Sequence, residues 1–407
     1  MNISILFVDD DNDVIDGYKR MLFSMKKEWS MHFALSGEEA LRIMSTAKID
    51  VIISDMKMPV MDGTELLRQV KDLYPHILRI ILSGHQDQVK IVRSTILAHQ
   101  FLLKPCNANQ IKNVIKNAYS LRDNLENQKL LSIINGIGQL PSLPELYVEI
   151  EELMDTPDYS LERMMQIISK DPAITAKILQ TVNSAFFGLP RRITDLLEAL
   201  SFLGANTIKS IILYLHSFSM KNVPSIARDY CSEIAKKSLL TAQIAREIGN
   251  IETSDKQILD DIYVSGILHD IGKLILLQIP EYFDKMNYMI NIKKMKDIDT
   301  EMQILDISHE WAGAYLMGIW ALPKTVVEAI AFHHNPSKIN HTDFSILTAL
   351  HIANGFAEYQ AEPFDRKKID IDLNYLANFK LKGNFEKWEN IAHKYNLIKN
   401  EQENPSY

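Results

Sequence analysis

The stretch DVIISDMKMPVMDG, residues 50–63, decides the fold of the first part of the chain. Val51 to Ser54 has the length and the β-branched content of a buried strand. From Gly63 to Leu73, apolar residues recur at helical spacing. A buried strand followed at once by a helix is typical of a parallel sheet covered by helices. Asp55 should then lie just beyond the carboxyl end of a strand.

The rest of residues 1–120 repeats this alternation of strand-like and helix-like segments. The other strand candidates are Ile5 to Val8, Arg79 to Leu82, Phe101 to Leu103 and His32 to Leu35, the last of these being second in chain order. The helical segments between them are Asp13 to Met25, Gly37 to Thr46, Gln88 to Leu97 and Asn109 to Arg122. The pattern predicts a flavodoxin-like, doubly wound parallel sheet with helices on both faces.

Polar and charged residues follow the predicted strands at the edge where an open parallel sheet binds its ligands. They are Asp9, Asp10, Asp11, Asp55, Ser83 and Lys104. Clustered carboxylates repel one another unless a cation lies between them, and an oxygen-only ligand set favours Mg²⁺. An aspartate held against Mg²⁺ can attack a phosphoryl donor and carry the group as an acyl phosphate. The alternative is that each acid only caps the helix that follows it. The complete set, at the correct strand ends, favours a phosphoryl-accepting site.

Four segments resemble the receiver domain of two-component response regulators in order and spacing. They are ILFVDDD (5–11), DVIISDMKMPVMDG (50–63), ILSG (81–84) and FLLKPC (101–106). The resemblance covers residues 1–120. It implies that a sensor histidine kinase or a phosphotransfer protein supplies the phosphoryl group.

The same resemblance assigns roles to individual residues by their place in the motifs. The implied metal ligands are Asp9, Asp10, Asp55 and the backbone carbonyl of Lys57. The implied catalytic and switch residues are Asp55 as phosphoacceptor, Lys104 as the phosphate-binding lysine, Ser83 as the switch hydroxyl and Phe101 as the aromatic that turns inward on activation. It also implies a cis peptide bond between Lys104 and Pro105.

The second half of the chain differs in pattern. Residues 121–134 continue the preceding helical periodicity and predict a helical connector, either a short coiled coil in a homodimer or a helix packed on its own domain. From residue 135 to residue 357 helical periodicity dominates. Predicted helices there include Leu161 to Ile168, Ile174 to Val182, Ala227 to Ile248 and Val326 to Ala331. Residues 358–407 predict a helical extension with a polar tail.

A histidine–aspartate pair, His269 and Asp270, lies in the apolar segment VSGILHDIGKLI, residues 264–275. Such a pair inside a helix can supply two ligands of a metal phosphohydrolase, the aspartate bridging two ions. Residues 134–357 resemble the HDOD output domain, a non-catalytic relative of the HD-family phosphohydrolases. LPSLPELYVEI (140–150), SKDPAITAKILQTVNSAFFGLPRRI (169–193) and AIAFHHNP (329–336) carry this resemblance.

Two ligand positions of the catalytic HD relatives are changed in this sequence. Lys237 takes the place of an upstream histidine, and Asn354 takes the place of a downstream aspartate. No Gly-Tyr-Pro triplet, which marks the branch that degrades cyclic di-GMP, is present. We therefore expect a degenerate site without metal, formed by Lys237, His269, Asp270, His309, His333 and Asn354. The alternative is that His269, His309 and His333 still bind a metal ion.

Composition excludes several classes of protein. Of the 407 residues, 46% are hydrophobic and 24% are charged, which is ordinary for a folded protein. A net charge of -8 argues against a general nucleic-acid or anionic-membrane binder. The start MNISILFVDD predicts no signal peptide, and the two cysteines form no disulfide framework, so the cytoplasm is expected.

The sequence thus predicts a response regulator in which phosphorylation of Asp55 controls a non-catalytic HDOD domain that acts on an unknown downstream protein. One alternative is a phosphorylation-regulated HD-type phosphohydrolase acting on a nucleotide or a cyclic dinucleotide. Another is a helix-turn-helix transcription factor. The acidic net charge and the lack of a basic recognition helix in the sequence argue against a transcription factor.

Overall fold

The structure is a computed structural model. It describes residues 3–83, 97–122, 134, 149–150, 152–154, 160–183, 189, 191–204, 208, 227–320, 322–339, 343–359, 369–377 and 384–403.

The first part of the chain forms a five-stranded parallel sheet. Its strands are β1 (Ile3–Val8), β2 (Trp29–Ala34), β3 (Val51–Asp55), β4 (Leu78–Ser83) and β5 (Gln100–Leu103). Their spatial order is β2-β1-β3-β4-β5, so the connection from β2 to β3 crosses β1. All five predicted strands are present, including the second one. The carboxyl ends of β1 and β3 are neighbours because Val8 pairs with Ser54.

Helices cover the sheet, as the alternation predicts. They are α1 (Asn12–Met21), α2 (Gly37–Thr46), α3 (Gly63–Leu73) and α4 (Ala108–Arg122). α1 is shorter than predicted, because the backbone leaves the helical conformation at Leu22 and a 3₁₀ helix, Phe23–Lys27, follows and buries Met25. Of the predicted helix Gln88 to Leu97, the described residues include Leu97 alone. Of the predicted connector, residues 121–134, they include Leu121, Arg122 and Ile134.

Alternate residues of each strand pack into two different apolar clusters. In β3, Val51 and Ile53 belong to one cluster and Ile52 belongs to the other. In β1, Phe7 and Leu6 divide in the same way. Both faces of the sheet are therefore buried, which is the physical reason why the strands read as continuous apolar runs.

The described residues after Ile134 contain helices and no strand. The helices are α5 (Leu161–Ile168), α6 (Pro172–Val182), α7 (Arg228–Glu252), α8 (Lys256–Leu268), α9 (Ile271–Leu276), α10 (Tyr282–Asn291), α11 (Asp297–Leu305), α12 (His309–Ile319), α13 (Lys324–Phe332), α14 (Ile346–Glu358), α15 (Leu373–Ala377) and α16 (Phe385–Glu403). Ser160 caps α5 and Asp171 caps α6 through side-chain oxygens. Within the part of the chain that the structure describes, no helix is both long and apolar enough to cross a bilayer.

The C-terminal extension is part of the helical bundle. α16 packs against α7, and Trp388 is 1% exposed in the apolar cluster between them and α14. The indole N–H of Trp388 donates a 3.1 Å hydrogen bond to Glu252 Oε1 at the end of α7. The region predicted as a helical extension thus contains a helix packed on the bundle.

The two halves of the chain contact each other through α4 and α12. Ile111 and Ile115 of α4 are fully buried, and they belong to the same apolar cluster as Leu316 of α12. At the edge strand of the sheet, the Gln100 side-chain amide donates a hydrogen bond to the carbonyl oxygen of Ile319. The last turn of α12 therefore lies against the edge of the sheet.

Candidate functional site

The carboxyl edge of the sheet brings two buried aspartates together. Asp9 directly follows β1 and is 1% exposed, whereas Asp55 ends β3 and is 7% exposed. The Asp55 carboxylate accepts a 2.8 Å hydrogen bond from the backbone N–H of Lys57, and Asp9 accepts one of 3.1 Å from the backbone N–H of Asp11. One oxygen of each carboxylate is held by the backbone, which leaves the other to face a cation.

Lys104 bridges the two aspartates. Its ammonium nitrogen lies 2.6 Å from Asp9 Oδ2 and forms an ion pair with Asp55 Oδ1. Burial alone would lower the pKa of Lys104, but its hydrogen bonds to Asp55 and Asp9 outweigh burial and raise this pKa. The peptide bond to Pro105 is cis, as predicted. The pocket thus holds a permanent positive charge next to Asp55.

The other acids at this edge differ in position. Asp10 is exposed. Asp11 and Asp62 are N-cap residues of α1 and α3, so the capping interpretation applies to them. Ser83 is the last residue of β4, and Phe101 pairs with Ile81 in β5; for these two the structure describes the backbone.

The histidine–aspartate pair of the second half lies between two helices. α8 ends at Leu268, and Asp270 has the N-cap position of α9 with φ -93° and ψ 7°. The break has a packing consequence, because α9 then passes α12 so closely that a Cβ on Gly272 would lie 1.9 Å from the carbonyl oxygen of His309.

Two lysines neutralise one oxygen of Asp270, whose side chain is fully buried. Lys237 Nζ lies 3.1 Å from Asp270 Oδ2, and Lys273 Nζ lies 3.3 Å from the same atom. Burial alone would raise the pKa of Asp270, but the charges of His269, Lys237 and Lys273 hold it well below its usual range. The other oxygen, Oδ1, lies 3.2 Å from His309 Nε2.

The two changed ligand positions meet beside this pair. Lys237 of α7 also forms a 2.6 Å ion pair with Glu358 Oε1, at the end of α14. The Asn354 side-chain N–H₂ donates a 3.3 Å hydrogen bond to that same carboxylate oxygen. An ammonium, an amide and a carboxylate thus occupy one side of Asp270.

On the other side of Asp270, three histidines converge. Asp270, His309, His333 and His334 each offer a ligand atom, and these atoms all lie within 4.8 Å of one another. His269 is outside this group; its Nε2 lies 3.4 Å from Asp270 Oδ2, on the side that the lysines occupy. Burial lowers the pKa values of His333 and His334 well below the usual value, which keeps both imidazoles neutral.

Several residues of this cluster were not predicted from sequence. His334 lies in the segment AIAFHHNP and is not among the predicted site residues. Lys273, three residues after Asp270, could have been inferred from helical spacing, since residues three apart share a face. Glu301, which accepts hydrogen bonds from both the backbone N–H and Nδ1 of His309, lies in a different helix and leaves no signal in the sequence.

Two family models match the chain. Residues 5–116 match the model of the response regulator receiver domain, and residues 140–336 match the model of the HDOD domain. The chain is 28% identical over 205 residues to an uncharacterized protein from Treponema pallidum, which is 50% of this chain and 39% of that protein. It thus spans less than half the length of that curated relative.

Two further similar proteins are response regulators by name. VraR from Staphylococcus saprophyticus is 28% identical over 152 residues, covering 37% of this chain and 73% of VraR. The MmoQ response regulator from Methylococcus capsulatus has 21% identity and a TM-score of 0.47, and the match covers 56% of this chain and 90% of MmoQ. The chain thus combines a response regulator receiver domain at residues 5–116 with an HDOD domain at residues 140–336, a combination that fits a two-component response regulator.

Proposed function

We propose that Asp55 is the residue that accepts the phosphoryl group. The observation that supports this most directly is the pairing of the buried Asp55 carboxylate with Lys104 at the carboxyl edge of the sheet. The backbone N–H of Lys57 fixes one oxygen of this carboxylate. Lys104 is placed to offset the charge of a phosphoryl group on Asp55, since its ammonium already neutralises the carboxylate there.

Mg²⁺ fits the donors at this edge. Asp9, Asp10 and Asp55 offer carboxylate oxygens and Lys57 a backbone carbonyl, which are hard ligands without nitrogen or sulfur. When bound, the ion would offset negative charge on the phosphoryl oxygens during transfer. Asp55 provides the nucleophilic oxygen for the transfer, and Lys104 holds a positive charge beside it.

A receiver domain implies an interaction with a histidine kinase or a phosphotransfer protein. We propose that this protein takes its phosphoryl group from such a donor in the cytoplasm. The HDOD domain then acts by binding a downstream protein.

The contact between α4 and α12 supports a route from Asp55 to the HDOD domain. β5 lies at the edge of the sheet, beside β4, whose Leu82 pairs with Asp55. Gln100 of β5 bonds to the last residue of α12, and α4 packs on the same helix. A shift of β5 or α4 would therefore change the contacts of α12. This route is additional to the helical connector, most of which lies outside the described residues.

A non-catalytic output is supported by the lysines beside Asp270. Lys237 and Lys273 both contact Asp270 Oδ2, the oxygen with which the aspartate would bridge to a second metal ion. Two ammonium groups there repel a cation. Hydrolysis by two metal ions requires one ion at the attacking oxygen and one at the leaving oxygen. This arrangement of lysines disfavours the second ion.

We expect the full chain to show no hydrolysis of cyclic dinucleotides or nucleoside phosphates with Mg²⁺, Mn²⁺ or Fe²⁺. The assay is product formation measured by chromatography, with and without a small phosphodonor. His269→Ala serves as the matched control, since a contaminating enzyme would be unaffected by it. Turnover that disappears in His269→Ala would establish the phosphohydrolase alternative instead.

A further inference from the structure

We propose that Asp270, His309, His333 and His334 bind one divalent transition-metal ion. The four residues come from three places in the fold: the junction of α8 and α9, the first residue of α12, and the two residues that follow α13. Their ligand atoms lie within 4.8 Å of one another. This proposal departs from the expectation of a metal-free site, which rested on Lys237 and Asn354.

The orientation of two imidazoles supports the proposal. His309 Nδ1 lies 2.8 Å from Glu301 Oε2, and His333 Nδ1 lies 2.8 Å from the carbonyl oxygen of Ile330. Both partners only accept hydrogen bonds, so each Nδ1 carries a proton. His333 is neutral and its Nε2 carries a lone pair. Burial alone would lower the pKa of His309, but Glu301 and Asp270 raise it to about 9, so an ion bound at His309 Nε2 would displace a proton. Histidine ligands of metals are fixed in this way, by a carboxylate or a backbone carbonyl on the other nitrogen.

Two of the atoms that face the centre of the cluster lack a hydrogen-bond partner. Nε2 of His333 and Nε2 of His334 are inaccessible to solvent and make no hydrogen bond in the part of the chain that the structure describes, and they lie beside the pair formed by His309 Nε2 and Asp270 Oδ1. Buried polar atoms nearly always have a partner, because an unpaired one costs free energy. A single bound cation accounts for the two unpaired nitrogens and for their convergence with His309 Nε2 and Asp270 Oδ1.

The ligand set selects the class of ion. Imidazole nitrogens suit Zn²⁺, Fe²⁺ or Co²⁺, whereas Mg²⁺ prefers oxygen ligands only. Three histidines and one carboxylate make a four-ligand site, as is usual for Zn²⁺. A tetrahedral site of this size has ligand separations of ~3.3 Å, given Zn–N distances of about 2.0–2.1 Å. His309 Nε2 and Asp270 Oδ1 are already 3.2 Å apart.

The lysines limit the site to one ion. Both ammonium groups contact Asp270 Oδ2, so Oδ1 alone faces the three histidines. The charges of Lys237 and Lys273 are in turn neutralised by Glu358 and Asp297, at 2.6 Å and 2.9 Å. The lysines therefore fix a positive charge on one side of Asp270 without placing an uncompensated charge in the cluster.

The proposed ion would join elements that the output route uses. His309 begins α12, and the other end of this helix carries the carbonyl of Ile319 that accepts the bond from Gln100. The ion would hold the start of α12 to α9 and α13. A metal-bound HDOD domain would thus present a rigid α12 to the receiver domain, which is a structural role and needs no turnover.

Titration of the full-length protein with Co²⁺ tests the site. The protein is first treated with a chelator, then dialysed into chelator-free buffer with excess Mg²⁺, which occupies oxygen-only sites. We expect one Co²⁺ per chain with the visible absorption of four-coordinate cobalt bound by nitrogen ligands. His334→Gln should weaken this binding at least about tenfold, whereas His393→Gln, the same change at an exposed histidine, should leave it unchanged.

Circular dichroism of each variant establishes that it is folded, and labelling of Asp55 reports the receiver domain separately from the metal. If His334→Gln does not fold, Glu301→Gln decides instead, because loss of the carboxylate behind His309 should weaken Co²⁺ binding about tenfold. A wild-type chain that binds no nitrogen-ligated Co²⁺, or folded variants that bind it as wild type does, would overturn the proposal.

Discussion

Replacing Asp55 by asparagine should abolish labelling of the protein by a small phosphodonor in the presence of Mg²⁺. The reason is chemical, because an amide lacks the nucleophilic oxygen that forms an acyl phosphate. The wild-type label should be labile to base and released by hydroxylamine. Asp10→Asn should weaken labelling without abolishing it, since it removes one charge from the metal ligands.

Asp62→Asn is the matched control for this experiment. Asp62 is an N-cap residue whose carboxylate accepts a 2.8 Å hydrogen bond from the backbone N–H of Glu65, and asparagine is an equally good cap. This variant should be labelled as wild type is. Undiminished labelling of Asp55→Asn would show that the acceptor lies elsewhere, whatever the control does.

Gly63→Ala should destabilise the receiver domain by about 3 kcal/mol, at the upper end of the cost of overpacking. A Cβ at Gly63 would lie 1.9 Å from the backbone oxygen of Asp55 and 2.9 Å from its carbonyl carbon. Both are backbone atoms at the end of β3, so the start of α3 and the acceptor would have to move apart. We expect phosphorylation of Asp55 to slow as well, because the acid pocket loses its geometry.

Gly17→Ala provides the comparison in the same domain. Gly17 lies inside α1, and a Cβ there would meet no atom within 4 Å. Alanine should therefore stabilise α1 by about 0.5–1 kcal/mol, through its higher helix propensity. Denaturant unfolding of both variants, monitored by circular dichroism, measures the two effects. Equal stability of Gly63→Ala and wild type would mean that α3 does not pass as close to Asp55 as described.

Much of the receiver domain could be predicted because its signals are local. An apolar run such as Val51 to Ser54, followed by an aspartate and a glycine, defines a strand, a strand end and a helix start within one short stretch. Once the sheet is known to be parallel, its topology places Asp9 and Asp55 on one edge. The predicted helices α2 and α3 have the observed bounds for the same reason.

The histidine cluster and the contact between the domains could not be predicted, because both depend on packing between distant elements. Gln100 and Ile319 are 219 positions apart, and nothing in either segment marks them as partners. The break between α8 and α9 at His269 and Asp270 has no local signal either, since apolar residues flank the pair on both sides. The resemblance to catalytic relatives indicates the changed positions, Lys237 and Asn354, but does not indicate His334.

We propose that phosphorylation of Asp55 acts on the HDOD domain through the contact of β5 and α4 with α12. Hydrogen exchange of the amides of α12, with and without the phosphate mimic beryllofluoride, tests it most directly. We expect beryllofluoride to change the protection of residues 309–319 in the wild-type protein and to leave it unchanged in Asp55→Asn. Changes confined to the surroundings of Asp55, with α12 unaffected in both proteins, would contradict the claim and mean that the two domains are only tethered.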